Sequence, residues 1–397
     1  MPRTEPNITL IVVVLSITQL VGWGTTSLPA VIGEQLARDL GLSLPAVFAG
    51  TTTTLVVTGI TAALLANAFV RFGAGRVMVV GSAIAAPGFW LLATATGPLA
   101  YYAAWFVLGV AGAAMLSTPT YILLNEVAGA AAKRPIGALM VATGLSSSVF
   151  WPITAALTSA VGWRWTVAIY GVVMLTVCLP LHFFGLPQRR TDRAHSARST
   201  SRETHEPTNG RLTFALLVSA AVMQTCVGWG FGSLIIQLLK SVGIAEDWAL
   251  RVGALLGVVQ VSARAFDFIG GGRWSGLTTA LAASVITPLA FLALLVGGAE
   301  TWAIACFMLF YGAGTGAMAV ARATMPLVFY DAAAFARVSA QMALPINLAA
   351  AATPPVFAAV LINFGSNSVL AALLAISMIG LALVIGLAIL NRKTTSA

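Results

Sequence analysis

Long apolar runs broken by short polar turns set the pattern of the chain from residue 8 onward. A membrane span needs about 20 apolar residues at about 1.5 Å each. By that measure the runs divide into twelve predicted helices. α1 to α6 cover 8–32, 46–70, 77–96, 99–124, 135–160 and 164–186. α7 to α12 cover 212–239, 249–269, 275–297, 301–329, 336–362 and 367–390. The run from Ile8 to Ile32 is too long for the core of a signal peptide and lacks a small-residue cleavage site, so α1 is read as the first span. Residues 188–211 are polar, basic and poor in apolar side chains, the composition of a disordered linker. The predicted organisation is an all-α membrane protein: a six-helix bundle over 1–187, a linker over 188–211 and a second bundle over 212–397.

Composition agrees. Of 397 residues 59% are hydrophobic and 8% charged, with a mean hydropathy of +0.93, against about 25% charged in soluble domains. The net charge of +9 does not describe a nucleic-acid surface, because fifteen of the 21 Lys and Arg fall in the linker, the termini and the short loops of one predicted side. Arg38, Arg164, Lys240 and Arg251 lie on the other side. That imbalance places both termini in the cytosol, and a bacterial inner membrane is the expected location. Cys178, Cys226 and Cys306 sit inside apolar runs without disulfide or metal spacing. His195 and His205 belong to the linker. No Walker loop, hydrolytic triad or metal-ligand cluster is present, so no cofactor, metal or enzyme activity is expected.

The two halves repeat. Gly22-Trp23-Gly24-Thr25-Thr26-Ser27-Leu28 in α1 recurs 206 residues later as Gly228-Trp229-Gly230-Phe231-Gly232-Ser233-Leu234 in α7. Pro87 matches Pro288, Gly109 and Met115 match Gly312 and Met318, and Pro152 matches Pro354, all at offsets of 201 to 203. Six helices per half means both halves run in the same sense, the parallel repeat of two-halved carriers whose substrate sits near the midplane.

Charges inside the apolar runs mark the candidate chemistry. Arg264 and Asp267 lie in α8, Arg322 in α10, and an intramembrane charge is a functional candidate by default. Arg264 precedes Arg273 by nine residues, and Arg322 precedes Asp331 by nine. Each guanidinium is thus about 13 Å from the same end of its helix, close to the midplane. A guanidinium keeps its charge and presents a planar fork that matches a carboxylate or phosphate. Two arginines and one aspartate leave a positive site that an anion would neutralise. A structural alternative stands beside this: Arg264 and Asp267, at i,i+3, neutralise each other, and Arg322 caps carbonyls at the kink expected from Pro326. Asp267 is either a proton carrier or an arginine-orienting group.

Trp23 and Trp229, each flanked by glycines, either line a cavity or serve packing and interfacial anchoring. Gln19 lies one turn before Trp23. Gln224 is similarly placed but shifted by one in the repeat. Tyr121 and Asn347 complete the polar candidates. Thr51–Thr54 are expected to bond their own helix, and Glu126 and Glu300 to sit at helix ends.

The turn Arg71-Phe72-Gly73-Ala74-Gly75-Arg76 resembles the loop 2–3 motif of the major facilitator superfamily, with Gly270-Gly271-Gly272-Arg273 as its counterpart in the second half. Phe150-Trp151-Pro152, ending in Gly162-Trp163-Arg164-Trp165, resembles helix 5 and the following turn of that family. The resemblance covers the whole chain. It implies the twelve-helix carrier fold and gating loops built on Arg71, Gly73, Arg76, Gly270 and Arg273. Val70 stands where the motif usually has an acid. The glycine–proline pattern of drug–proton antiporters is not clear in residues 144–152. Arg264 is similar to the arginine that binds the substrate carboxylate in the monocarboxylate and oxalate–formate branch.

The expectation is therefore a secondary carrier for a small organic anion, a mono- or dicarboxylate, acting as a monomer in the lipid bilayer with a coupling proton or counter-anion. Substrate contacts are expected from Arg264, Arg322, Trp23, Trp229, Gln19, Gln224, Tyr121 and Asn347. An exporter of drugs or hydrophobic metabolites and a non-transporting sensor are the rival readings.

Overall fold

A computed structural model describes residues 7–188, 210–232, 234–270 and 273–395. Nearly all of the linker, with His195 and His205, lies outside the described residues, as do Arg3, Ser233, Gly271 and Gly272. Among the described residues ten continuous helical stretches are long and apolar enough to cross a membrane. Two of them, Lys133–Gly185 and Ala334–Arg392, turn at a glycine of positive φ, Gly162 at 78° and Gly365 at 79°. At these positive φ values a side chain would be strained, so glycine lets the chain turn without a long loop. Each long stretch therefore holds two spans, and the ten contain twelve. Gly162 and Gly365 are 203 residues apart, the offset of the repeat.

Local chemistry sets the ends. Asn7 accepts the amide of Leu10 at the start of α1, observed as Ile8–Leu40, and Ser43 accepts that of Ala46 at the start of α2, Leu44–Leu64. Ser275 accepts the amide of Thr278 to open α9, Gly276–Gly297. These are N-caps that satisfy helix-end donors. Other helices are interrupted inside the span. α4, Pro98–Ala128, breaks at Leu116, and α10, Thr301–Phe329, breaks at Met325 just before Pro326. α7, Gly210–Phe231, ends in a π-helical turn over Cys226–Phe231.

The chain divides into two compact units. One gathers Met1–Pro135, Ala142–Arg202 and Ala332–Ala351; the other Ile136–Val141, Glu203–Asp331 and Ala352–Ala397. A short stretch of α5 and the first part of α11 thus belong to the unit built mainly from the opposite half of the chain. In the first unit α2 and α4 approach at Gly109, where an added Cβ would stand 2.7 Å from the Val57 side chain. Thr54 and Thr58 donate across the same crossing to Trp105 O and Gly109 O, whereas Thr51 and Thr53 bond their own helix as expected. In the second unit α8, Glu246–Ile269, and α10 approach at Gly312, with Val259 again 2.7 Å from the position of a Cβ. Glycine notches let the helices pack at backbone distance, as is common in lipid.

Each unit has its own aromatic core. Trp105, Tyr101 and Phe89 are fully buried in the first. In the second, Phe231 meets Tyr311 edge to face at 4.9 Å, and Phe307 stacks on Tyr311 at 5.3 Å. Large apolar side chains such as Leu99, Phe184 and Ile362 are exposed, as suits spans solvated by hydrocarbon.

Candidate functional site

The second unit brings both arginines to one level. Gly316 of α10 lies against the backbone of Gln260 in α8, and the Gln260 amide donates to the Thr315 hydroxyl at 3.2 Å. Val259 meets Gly312, and one residue further along α8 Gln260 meets Gly316, so the two helices run parallel. Arg264 is one turn beyond Gln260 and Arg322 six residues beyond Gly316. At about 1.5 Å per residue these are steps of about 6 and 9 Å, so the two residues lie within about 3 Å of the same level.

Both arginines are half-buried. Arg264 Nη1 donates to Met140 O at 3.3 Å. That carbonyl belongs to the last turn of the first segment of α5, Lys133–Thr143, which breaks before Ser146. The break leaves carbonyls to satisfy: Leu145 N donates to Ala142 O, Ser146 Oγ to Thr143 O, and Arg264 supplies Met140 O. A cation at a helix C-terminus also meets the negative end of the helix dipole. Arg322 Nη1 donates to Thr225 Oγ1 at 3.0 Å. Both acceptors are neutral oxygens, and these two bonds orient the guanidiniums.

Asp267 is buried, 5% exposed, and its Oδ1 accepts from Trp274 Nε1 at 2.8 Å and Thr279 Oγ1 at 2.6 Å. Both donors belong to the α8–α9 turn and the start of α9. Trp274 also stacks on Phe266 at 6.0 Å. A Cβ on Gly270 would collide with the Trp274 ring at 2.2 Å, so the glycine makes room for the indole that reaches back to Asp267. Counting three residues back from Gly73 and Gly270 aligns Val70 with Asp267. The second half thus carries the acid that the first lacks. At the corresponding turn of the first half Glu126, from the end of α4, accepts the Ala74 amide at 3.4 Å, at the start of α3, Ala74–Ala93. Gly73, buried at φ 82°, makes that turn, while Arg71, Arg76 and Arg273 are exposed.

The remaining candidates divide between the units. Trp229 is 43% exposed on the π turn, in the same unit as Arg322. Gln224 is buried and donates to Ser284 Oγ at 3.4 Å. In the first unit Gln19 is buried and donates to Met115 O at 2.7 Å, at the break in α4. Trp23 packs against the apolar core, and Tyr121 is half-buried. Asn347 donates to Ala343 O of its own helix at 2.8 Å. Three groups that carry no signal in the sequence stand out in the fold: Thr225, Tyr311 and His182. His182 is fully buried in α6 with its Nδ1 2.7 Å from Ser82 Oγ of α3.

Twelve apolar spans in a two-fold repeat, with paired arginines inside the spans, define a multi-pass integral membrane protein of the two-halved carrier class. The model of the Major Facilitator Superfamily matches residues 14–340, and the chain belongs to that family. It is a secondary transporter of small molecules, not an enzyme. No curated protein matches it. Among solved structures it is similar to the human organic anion transporter MFSD10 (TETRAN), at 14% identity and a TM-score of 0.74 over 96% of this chain and 100% of that one. It is also similar to the proton:xylose symporter XylE bound to 6-bromo-6-deoxy-D-glucose, at 15% identity and a TM-score of 0.74 over 94% of each chain. Likeness at this identity describes the fold.

Proposed function

We propose that the chain transports a small organic anion, a mono- or dicarboxylate, and that Arg264 and Arg322 bind it. The halves 1–187 and 212–397 exchange access to the site in alternation. The observation that supports this reading is the pair of half-buried guanidiniums at one level of α8 and α10, each oriented by a neutral oxygen. A charge held inside an apolar span costs several kcal/mol unless it meets protein, water or a counter-ion. An anionic guest adds negative charge beside two guanidiniums, and its binding lowers the cost of closing the site around the arginines. Trp229, exposed in the same unit as Arg322, offers an apolar face to the organic part of the guest. Asp267, engaged by Trp274 and Thr279, holds the α8–α9 turn at the end of the helix that carries Arg264. The solved organic anion transporter of similar fold agrees in substrate class, although the arginines carry the assignment.

A thermal-shift panel on the purified protein tests this. Carboxylates such as lactate and succinate raise the melting temperature, and lipophilic cations do not. Arg264→Gln removes the carboxylate shift. A panel in which only lipophilic cations stabilise the protein, equally in Arg264→Gln, transfers the assignment to an exporter of hydrophobic compounds.

A further inference from the structure

The two glycine–tryptophan–glycine motifs are not in register with the glutamines before them. Gln19 precedes Gly22 by three residues in α1, and Gln224 precedes Gly228 by four in α7. α7 therefore holds one more residue in this stretch, and there its helix widens into the π turn Cys226–Phe231. A π turn is how a helix absorbs an extra residue without losing its axis, and such turns gather at functional sites. Buried groups hold this one. Tyr311 OH lies 3.2 Å from Val227 O and 3.4 Å from Gly228 O, and Thr353 Oγ1 donates to Cys226 Sγ at 3.4 Å.

At the edge of the turn stands Thr225, 1% exposed. Its hydroxyl donates to Ala221 O at 2.7 Å and accepts from Arg322 Nη1 at 3.0 Å. With the proton committed to Ala221, the oxygen lone pairs are left to face the guanidinium.

We infer that Thr225 is a positioning residue for anion binding: its hydroxyl, fixed to Ala221 O at the edge of the π turn, orients Arg322, and the π turn links the bound anion to Trp229. The inference rests on the anion reading above.

The test uses the full chain in liposomes with labelled lactate and succinate. Thr225→Val raises KM about tenfold, the scale of a lost hydrogen bond to a charged group, while the maximal rate changes less than about twofold. Thr225→Ser restores the wild-type KM. An unchanged KM in Thr225→Val, or a defect that Thr225→Ser leaves in place, overturns the inference while the anion reading stands. Should the wild type take up neither acid, the anion reading has failed and N-ethylmaleimide labelling decides the rest. In a background of Cys178→Ser and Cys306→Ser, faster labelling of Cys226 in both Thr225→Val and Arg322→Gln supports the link. Equal rates in all three proteins overturn it.

Discussion

Asp267 is a side chain whose neighbours suggest a different part from the one its charge suggests. A carboxylate inside an apolar span is a natural proton carrier on paper, yet its oxygen accepts from Trp274 and Thr279 at the α8–α9 turn. Asparagine keeps an acceptor in that place and loses only the charge. Asp267→Asn is therefore expected to transport with an unchanged pH profile, whereas Asp267→Ala leaves two donors without this acceptor. Buried groups stranded in this way cost about 1–3 kcal/mol each, so the alanine variant melts measurably lower in a thermal ramp. A pH profile flattened in Asp267→Asn would restore the proton-carrier role. The residue is visible in the sequence as an intramembrane charge; its partners, 7 and 12 residues further on, are not, because they depend on how the turn folds back. Arg264 is similar. Its charge is legible, but its bond to Met140 O depends on a break in α5 that no proline marks, since Pro152 lies beyond it.

Among the elements, the spans and their repeat are legible because the bilayer imposes a length and an apolar composition that any sequence must meet. Gly162 and Gly365 extend the repeat with matching backbone angles, as do the glycine notches at Gly109 and Gly312. The interruptions are harder to read. Pro326 announces the break in α10, and the break of α4 at Leu116 precedes Pro119, which has no amide to give Met115 O; that carbonyl takes the Gln19 amide instead. The π turn leaves a faint trace, the one-residue slip between Gln19 and Gln224, which looks like failed symmetry until the helix is seen to widen. The α8–α10 crossing makes its own prediction. A Cβ on Gly316 would stand 2.4 Å from Gln260 O, and backbone cannot yield as a side-chain tip can. Gly316→Ala is expected to destabilise by about 1–3 kcal/mol and to slow transport by displacing α10 and Arg322. Gly257→Ala, with nothing within 4 Å, is the control and should melt like the wild type. Equal melting temperatures for the two variants would contradict the close crossing.

At the scale of the molecule, family and fold define a secondary transporter, and the paired arginines give the proposed cargo its sign. Charge and hydrogen bonding play separate parts in that proposal. Lysine keeps the charge of Arg264 but loses the planar fork, so Arg264→Lys should retain weak uptake with a raised KM, and Arg264→Gln should retain none. Uptake of labelled lactate and succinate into sealed liposomes measures this directly, with the melting temperature of each variant confirming that it is folded. The account predicts saturable carboxylate uptake in the wild type, weakened uptake in Arg264→Lys, and background levels in Arg264→Gln and Arg322→Gln. Undiminished uptake in the two glutamine variants would contradict it.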